Sequence, residues 1–387
     1  MLELQTVTIE KLVYGGEGLA RLDHRVALIP FVLPHEKVRA ELTPSKGGIL
    51  RGTAVEIVEP SPTRRSPQCP YFMHCGGCHY QHIGYEDQLR YKRDILEEAL
   101  RRIGKLIWEG ETRVLSASPW QYRNRVRLHF SGGAMGYFAS GTNAVEKIGA
   151  CAIASPRIEA TVRAIHEALP RIGSFDASVE LFTNETAVQI STRDHLPKAA
   201  RELFAGLGVS TPIEYHGLRV SAGSFFQVNR FLIDDLVRAA TAGATGEVAV
   251  DLYAGVGLFS SALTAGFSQV TAVEMSNSAA RDLEFNGRNS PSPWHAVRAD
   301  AAEFLASLDK QPDFLLADPP RSGLGARVAK ELIRLRPPRL CLVSCDPSTL
   351  ARDLALLTAG GFRIESITLA DLFPQTYHVE TVVHLAA

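Results

Sequence analysis

The sequence lacks both an excess of charge of one sign and a long apolar run. Lysines and arginines number 41 against 42 aspartates and glutamates, so overall charge predicts no nucleic-acid partner and any basic groove must be local. No apolar stretch approaches the roughly 18 residues of a membrane span. The N-terminus lacks the basic segment and apolar run of a secretory signal. We therefore expect a cytoplasmic protein with no membrane partner, and we expect a monomer.

Cysteine is scarce, and each of the six cysteines needs its own explanation. In a reducing cytosol they should not form structural disulfides, so each has a metal-binding, catalytic or packing role. Cys341 lies inside an apolar strand, where a buried thiol packs as a small hydrophobic group. The other five remain candidates for chemistry.

Three regions follow one another along the 387 residues, a length that suits two or three domains. Residues 1–60 alternate short β-rich runs with glycine and proline turns, which predicts a small barrel. After a proline-rich linker, residues 68–222 form a mixed α+β region in which residues 85–104 predict a charged amphipathic helix. Residues 223–387 repeat strand and helix as in an α/β sheet, and the last two strands should pair antiparallel.

A glycine turn marks the first strand of the α/β region. The string DLYAGVG, with Gly255 at its centre, follows an apolar strand and opens a helical stretch, where free amides can bind a ligand. Taken alone, the turn could also be a tight strand-to-helix connection. Glu274 ends the next strand about 20 residues later, at the spacing of a ribose-binding acid. No third glycine follows, so S-adenosylmethionine fits better than a dinucleotide.

Three further acidic residues and one glutamine lie near the ends of strands. Asp300, after the third strand, suits either the adenine amine or a helix N-cap. Asp318 ends the fourth strand in a string that is also good turn chemistry. Glu380 precedes the last strand and suits either chemistry or a solvated strand end. Gln227, in FFQVN, precedes the helix that leads into the sheet.

Cys345 ends the fifth strand, in the string SCDPSTLARDL. Open α/β sheets bind ligands at the carboxyl ends of their strands, so this thiol should share a crevice with Asp318 on the adjacent strand. A packing role for the cysteine is the alternative. The coincidence of a thiol and a carboxylate with a cofactor signature favours chemistry.

Three cysteines occur in one short loop, at Cys69, Cys75 and Cys78, and Cys151 could supply a fourth ligand. Four thiolates suit zinc or an iron-sulfur cluster. Zinc ribbons more often use paired CxxC knuckles, so three ligands from one loop and one from far away favour the cluster. His74 and His79 are the remaining candidate ligands.

Six strings together resemble the bacterial RNA uracil-C5 methyltransferases over almost the whole chain: CPYFMHCGGCHYQH, FFQVN, DLYAGVG, ADPPRSGL, SCDPSTLARDL and HVE. The resemblance implies an N-terminal RNA-binding TRAM barrel of the OB type and a central domain with a four-iron four-sulfur (4Fe-4S) cluster. It implies a C-terminal Rossmann-like class I methyltransferase domain. Barrel and cluster together resemble enzymes acting on 23S rRNA rather than the shorter tRNA enzymes that lack both.

The same resemblance assigns roles to residues. Cys345 becomes the nucleophile and Glu380 the general base. The implied S-adenosylmethionine contacts are Gln227, Tyr253, Gly255, Glu274, Asp300 and Asp318, and the implied cluster ligands are Cys69, Cys75, Cys78 and Cys151. Two departures are Ala254, where a cysteine is common, and Leu258, where many members carry a polar cofactor contact. Residues 85–104 are expected to dock on the catalytic domain.

The implied chemistry is covalent catalysis on a loop or single-stranded uridine, whose base must leave its stack. A thiol is mostly protonated at neutral pH, so we expect the amides of Ser348 and Thr349, at a helix start, to favour the thiolate. Arg123, Arg125 and Arg127 alternate along a predicted strand and suit either phosphate binding or a solvated face.

Three rival functions remain. A tRNA uridine-C5 methyltransferase would use the same chemistry on another RNA. A cytosine-C5 methyltransferase would place its cysteine in a different local motif. A non-catalytic iron-sulfur RNA-binding protein would not need the strings SCDP and HVE, which are both intact.

Overall fold

The computed structural model describes residues 3–387. The strands are β1 (Glu3–Thr8), β2 (Lys11–Leu12), β3 (Glu17–Leu22), β4 (Arg25–Pro30), β5 (Lys37–Pro44), β6 (Leu50–Glu59), β7 (Thr112–Leu115), β8 (Arg125–Ser131), β9 (Ala134–Phe138), β10 (Val145–Lys147), β11 (Ala177–Thr183), β12 (Val188–Ser191), β13 (Ile213–Tyr215), β14 (Leu218–Val220), β15 (Gly246–Leu252), β16 (Phe267–Val273), β17 (His295–Val297), β18 (Phe314–Ala317), β19 (Arg339–Ser344), β20 (Arg363–Ala370) and β21 (Glu380–Ala386). The α-helices are α1 (Tyr85–Arg102), α2 (Pro156–Ile172), α3 (Lys198–Leu207), α4 (Ile233–Ala240), α5 (Leu258–Leu263), α6 (Asn277–Asn289), α7 (Ala301–Ala306), α8 (Gly325–Leu335) and α9 (Pro347–Ala359).

The N-terminal strands form one six-stranded sheet in the order β1-β5-β6-β4-β3-β2. Residues of β5 alternate between exposed and buried, as expected of a strand with one face against a core. Strands β1 and β3 are not neighbours in this order and still contact each other, so the sheet curls around its core. Ile9, Ile29 and Val38 are buried there. The β-rich unit predicted at the N-terminus is present between Glu3 and Glu59.

A second, five-stranded antiparallel sheet has the order β10-β9-β8-β11-β12. Helices α2 and α3 pack together and share a core with this sheet that includes Leu128, Ile158 and Leu181. Ser155 caps α2 by accepting a hydrogen bond from the amide of Ile158. This α+β unit lies between the N-terminal sheet and the C-terminal sheet in sequence.

The C-terminal sheet has eight strands in the order β17-β16-β15-β18-β19-β21-β20-β7. Strands β15 to β19 are parallel, whereas β21 runs antiparallel to both of its neighbours. Buried clusters cover the sheet, as expected of strands packed on both faces. This is the Rossmann-like α/β arrangement predicted from the sequence, and the final two strands pair antiparallel as predicted. It brings the carboxyl ends of five parallel strands to one edge.

Several elements that precede residue 223 pack with the C-terminal sheet. Strand β7 pairs with β20 as the edge strand, helix α1 packs against α9, and the hairpin β13-β14 contacts α6. Leu96, Ala99 and Leu100 of α1 belong to the same buried cluster as the sheet. The unit around the large sheet therefore draws on residues 85–115 and 213–220 as well.

Within residues 3–387, no helix combines the length and the apolarity needed to cross a bilayer.

Candidate active site and cysteine-lined cavity

The glycine turn after β15 is shaped by its glycines and by one carboxylate. Gly255 and Gly257 have φ angles of 58° and 99°, the left-handed region that glycine adopts without strain. A Cβ on Gly257 would lie 2.7 Å from Cζ2 of Trp294, so a side chain there would clash. Glu274 accepts hydrogen bonds from the amides of Gly255 at 3.0 Å and Ser276 at 2.6 Å. The acid at the end of β16 is thus held against the turn at the end of β15.

Two residues at the end of β15 have perturbed acidities. Asp251 is fully buried and accepts a hydrogen bond from Ser260 at 2.5 Å, and burial raises the pKa of its carboxyl to about 7. Tyr253 has a φ of 60° and is half-buried, and desolvation raises the pKa of its phenol to about 12. The phenol of Tyr253 is therefore neutral at physiological pH, whereas burial gives the Asp251 carboxyl a larger neutral fraction than an exposed aspartate has. The backbone amide of Asp318 donates to the Leu252 carbonyl at 3.3 Å, which joins this turn to the end of β18.

Asp300 and Gln227 are placed by local hydrogen bonds. Oδ1 of Asp300 accepts from the amides of Ala302 and Glu303 at 3.0 and 3.2 Å, so the N-cap role considered for this residue is present. Gln227 is buried in the segment between β14 and α4, where its carbonyl accepts from Nδ2 of Asn124 at 3.0 Å. The structure thus brings Tyr253, Glu274, Asp300 and Asp318 to one sheet edge.

Cys345 occupies a turn between the last residue of β19 and the first of α9. Asp346 caps α9, and its Oδ1 accepts from the amides of Ser348 and Thr349, both at 2.9 Å. The prediction that these two amides stabilise the Cys345 thiolate is therefore wrong, because the neighbouring carboxylate already binds them. The cationic group that favours the thiolate is the guanidinium of Arg321.

Carboxylates surround this thiol and oppose its ionisation. Burial, followed by the charges of Glu380 and Asp318, raises the pKa of Cys345 to about 12, while Arg321 lowers it. Burial also raises the pKa of Glu380 well above its usual value, and the charge of Asp318 adds to that effect. Burial raises the pKa of Asp318 in the same way. Burial and mutual repulsion thus favour the protonated forms of all three groups, and such raised pKa values cluster at functional sites.

The four cysteines predicted to act together do share a cavity. Cys69, Cys75, Cys78 and Cys151 line a space of about 430 Å³ together with Arg123. Burial raises the pKa of Cys75 to about 11 and that of Cys78 to about 12, and the charges of the other thiols act in the same direction. Burial raises the pKa of Cys151 too. The thiols are close enough to interact, and a cation would have to be present for all of them to ionise.

The arrangement of this cavity constrains what it can bind. Within residues 3–387, no group of three or more His, Cys, Asp or Glu side chains is arranged to bind a metal ion. A single zinc ion would need each sulfur at about 2.3 Å from one point. An iron-sulfur cluster instead takes each thiolate at a different iron. His79 also lines the cavity and has its pKa lowered to about 4 by burial, whereas His74 is not among the lining residues.

The arginines of the predicted basic strand are largely engaged by the protein. Arg125 lies over the ring of Phe182 at 4.2 Å and pairs with Glu180 at 3.0 Å, and Arg127 pairs with the same carboxylate at 3.3 Å. The phosphate-binding interpretation is therefore weakened for both. Arg123 and Arg127 both line the cysteine cavity, and Nε of Arg123 donates to the Arg125 carbonyl at 2.9 Å.

Sequence reasoning assigned no role to several residues near Cys345. Arg321 lies 3.5 Å from the His378 ring, and Tyr377 contacts the His378 ring with 4.4 Å between centroids. Tyr14 of the N-terminal sheet donates a hydrogen bond to the Cys345 carbonyl at 3.2 Å. The strings DPPR and HVE contain or adjoin the first three, whereas no local signal marks Tyr14.

Comparison with known proteins agrees with this geometry. Residues 214–387 match the family model of tRNA (uracil-5-)-methyltransferases, and residues 3–55 match that of the TRAM domain. An RNA methyltransferase of Aquifex aeolicus is 30% identical over 98% of this chain and 97% of its own. One of Thermotoga maritima is 32% identical over 99% of each.

A solved structure extends the likeness to three dimensions. The crystal structure of Pyrococcus abyssi tRNA (uracil-54, C5)-methyltransferase in complex with S-adenosyl-L-homocysteine aligns with a TM-score of 0.77 and 25% identity. The alignment covers 99% of this chain and 100% of that one. The chain therefore belongs to the S-adenosylmethionine-dependent RNA uracil-5-methyltransferase family, and it is an enzyme of that family with an N-terminal TRAM domain.

Proposed function

We propose that the protein methylates carbon 5 of a specific uridine in 23S rRNA through a covalent bond between Cys345 and carbon 6 of the base. The observation that carries this proposal is the electrostatic coupling of Cys345, Glu380 and Asp318 at the ends of neighbouring strands. A thiol and two carboxylates with raised pKa values supply a nucleophile and a base at one point. Gln227, Tyr253, Gly255, Glu274, Asp300 and Asp318 are the proposed cofactor contacts.

Uracil is a poor nucleophile at carbon 5, so it must be activated before it can accept a methyl group. Addition of the Cys345 thiolate to carbon 6 forms the carbon-sulfur bond and moves electron density to carbon 5. S-adenosylmethionine supplies the methyl group that carbon 5 then takes up. Glu380 removes the proton from carbon 5, and the carbon-sulfur bond breaks to restore the ring and release the thiolate. Glu380 must be ionised at that step, so its proton has to leave first.

Substitution of Glu380 and Cys345, singly and together, tests the order of these steps. Glu380→Gln should still let Cys345 add and the methyl group move, yet stall before elimination because no group takes the carbon 5 proton. A methylated protein-RNA adduct should accumulate and survive denaturing electrophoresis. Cys345→Ala should abolish methylation while leaving cofactor binding largely intact, and the double variant should form no adduct. Normal turnover by Cys345→Ala would refute the nucleophile, and normal turnover by Glu380→Gln would make Asp318 the next candidate base.

Two classes of RNA are candidate substrates. The family resemblance favours 23S rRNA, but the Pyrococcus abyssi tRNA enzyme aligns with 99% of this chain, its N-terminal sheet included. An N-terminal barrel therefore does not separate the two substrate classes, and a tRNA uridine is the second candidate. Mass-spectrometric mapping of 5-methyluridine in 23S rRNA and tRNA from wild-type and deletion strains decides between them. Loss of one modified position in 23S rRNA supports our proposal, and loss confined to tRNA replaces it.

We further propose that Cys69, Cys75, Cys78 and Cys151 hold a 4Fe-4S cluster. Three observations support this assignment. The four cysteines line one cavity, and the charge of each thiolate would raise the pKa of its neighbours. The amide of Gly77 also donates a hydrogen bond to Sγ of Cys75 at 3.4 Å. Hydrogen bonds to cysteine sulfur are typical of iron-sulfur sites. The role proposed for the cluster is structural.

A further inference from the structure

A turn of the N-terminal sheet reaches the nucleophile. Strands β2 and β3 are joined by residues 13–16, where the amide of Val13 donates to the Glu17 carbonyl at 2.9 Å. Gly15 and Gly16 have φ angles of 110° and 88°, which lets the chain reverse tightly. Tyr14 is thereby presented outward from its own sheet. It packs against the buried cluster of the catalytic unit instead.

The phenol of Tyr14 contacts the backbone at the nucleophile. Its hydroxyl donates to the Cys345 carbonyl at 3.2 Å, across 331 positions of sequence. Strand β19 ends at Ser344 and helix α9 begins at Pro347, so the Cys345 peptide lies between two regular elements. Burial raises the pKa of Tyr14 well above its usual value, so the phenol remains a neutral donor. A residue of another structural unit thus binds a carbonyl in the turn between β19 and α9.

The surrounding packing fixes Tyr14 in place. Its ring meets Tyr377 edge to face with centroids 5.4 Å apart, and Tyr377 in turn meets His79 at 4.6 Å. A Cβ on Gly16 would lie 3.2 Å from both His79 and Tyr377, so the turn is seated closely on these rings. Lys11 of β2 forms an ion pair with Glu98 of α1 beside it. The turn is therefore docked by several independent contacts.

We propose that Tyr14 is a positioning residue for methyl transfer, which holds the Cys345 backbone so that the thiol is aimed at carbon 6 of the uridine. The N-terminal unit then contributes to the chemical step in addition to any binding of RNA. This inference rests on the proposed function, because it assumes that Cys345 is the nucleophile. Displacing a reacting atom by about 1 Å can slow a reaction by about 100-fold. Loss of one hydrogen bond that positions the Cys345 backbone should therefore slow methyl transfer.

Tyr14→Phe tests the proposal, since it removes the hydroxyl and keeps the ring that packs on Tyr377. Loss of one hydrogen bond should lower kcat about tenfold while the KM for RNA stays within about twofold of wild type. The rate of covalent adduct formation with RNA containing 5-fluorouridine should fall by the same factor. Tyr91→Phe is the matched control, because Tyr91, like Tyr14, packs against a second apolar cluster that includes Leu12, Leu33 and Ile95, and its ring lies under Arg90. It should leave both rates unchanged.

The outcomes separate this inference from the function beneath it. Wild-type kcat in Tyr14→Phe, or a raised KM for RNA with kcat unchanged, overturns the positioning role. Equal losses in Tyr14→Phe and Tyr91→Phe also overturn it, since they would indicate general loosening of the cluster. Methylation by Cys345→Ala would instead overturn the proposed function, whatever Tyr14→Phe does. Inactive Cys345→Ala with slow adduct formation in Tyr14→Phe supports both.

Discussion

At the scale of single residues, burial and the neighbouring carboxylates favour the protonated thiol of Cys345. An unperturbed cysteine has a pKa near 8.5, whereas burial and the charges of Glu380 and Asp318 raise that of Cys345 to about 12. The positive charge of Arg321 opposes this shift, because it stabilises the thiolate. Binding of a cationic methyl donor nearby would favour ionised carboxylates and the thiolate alike. We therefore expect the thiol of the free enzyme to react slowly with alkylating agents at neutral pH.

These charges predict opposite shifts in the pKa of Cys345 when Glu380 or Arg321 is replaced by uncharged glutamine. Glu380→Gln removes a negative charge, which favours the thiolate and should move the pH midpoint of Cys345 alkylation by iodoacetamide downward. Arg321→Gln removes a positive charge and should move the midpoint upward. Because the wild-type pKa is about 12, peptide-resolved mass spectrometry between about pH 7 and 11 compares the rates below the midpoint. At each pH, Glu380→Gln should react faster than wild type and Arg321→Gln more slowly, and the wild-type rate should still be rising above about pH 9. Shifts of the same sign in the two variants would contradict this electrostatic account.

Part of the site could be predicted from strings of residues and part could not. Asp318, Cys345 and Glu274 follow apolar strands, and parallel strands bring such ends to one edge whatever their order. The role of the Ser348 amide was mispredicted, although Asp346 before Pro347 is the sequence signal of an N-cap that binds this amide. Tyr14 had no signal at all, since its partner lies 331 positions away.

At the scale of elements, helix α1 attaches the cysteine-bearing segment to the catalytic sheet. Its buried face includes Lys92, whose Nζ lies 2.6 Å from Oδ1 of Asp371 and 2.9 Å from the Phe373 carbonyl. Tyr85 donates to the other carboxylate oxygen at 2.9 Å. Helix α1 was predictable from its periodicity. The burial of Lys92 was not predictable, because lysine is rarely buried. Strand β7, with four residues, was likewise too short to be assigned to the sheet in advance.

Breaking the buried pair should loosen this attachment. Lys92→Met leaves the Asp371 carboxylate buried without its cation, which should reduce the free energy of unfolding by about 3–5 kcal/mol. Arg90→Met, on the same helix but in an exposed pair with Asp87, should change it by less than about 1 kcal/mol. Urea denaturation followed by circular dichroism measures both. Equal stability of Lys92→Met and wild type would show that the pair does not hold the helix.

At the scale of the whole molecule, the cysteine loop (residues 69–80) contacts the segment between β20 and β21 (residues 371–379), here called the catalytic loop. The carbonyl of Gln375 accepts hydrogen bonds from the amides of His79 and Tyr80 at 2.8 and 2.9 Å. Gln375 has a φ of 66° and exchanges side-chain and backbone hydrogen bonds with Gln88 of α1. It lies in the segment that leads to Glu380. Order in the cysteine loop should therefore also order the segment that leads to Glu380, the proposed general base.

This connection makes the cysteine loop a test of the whole arrangement. Anaerobically purified protein should be brown and contain about four irons per chain, whereas Cys78→Ser should lose the colour and the iron. The variant should also lower kcat by more than about tenfold, because the His79 and Tyr80 amides would no longer fix Gln375 beside the catalytic loop. Cys341→Ala, which removes a thiol from the core of the sheet, should keep its full iron content. Colourless wild-type protein with stoichiometric zinc would replace the cluster by a metal ion, and full activity of iron-free Cys78→Ser would disconnect the cysteine loop from catalysis.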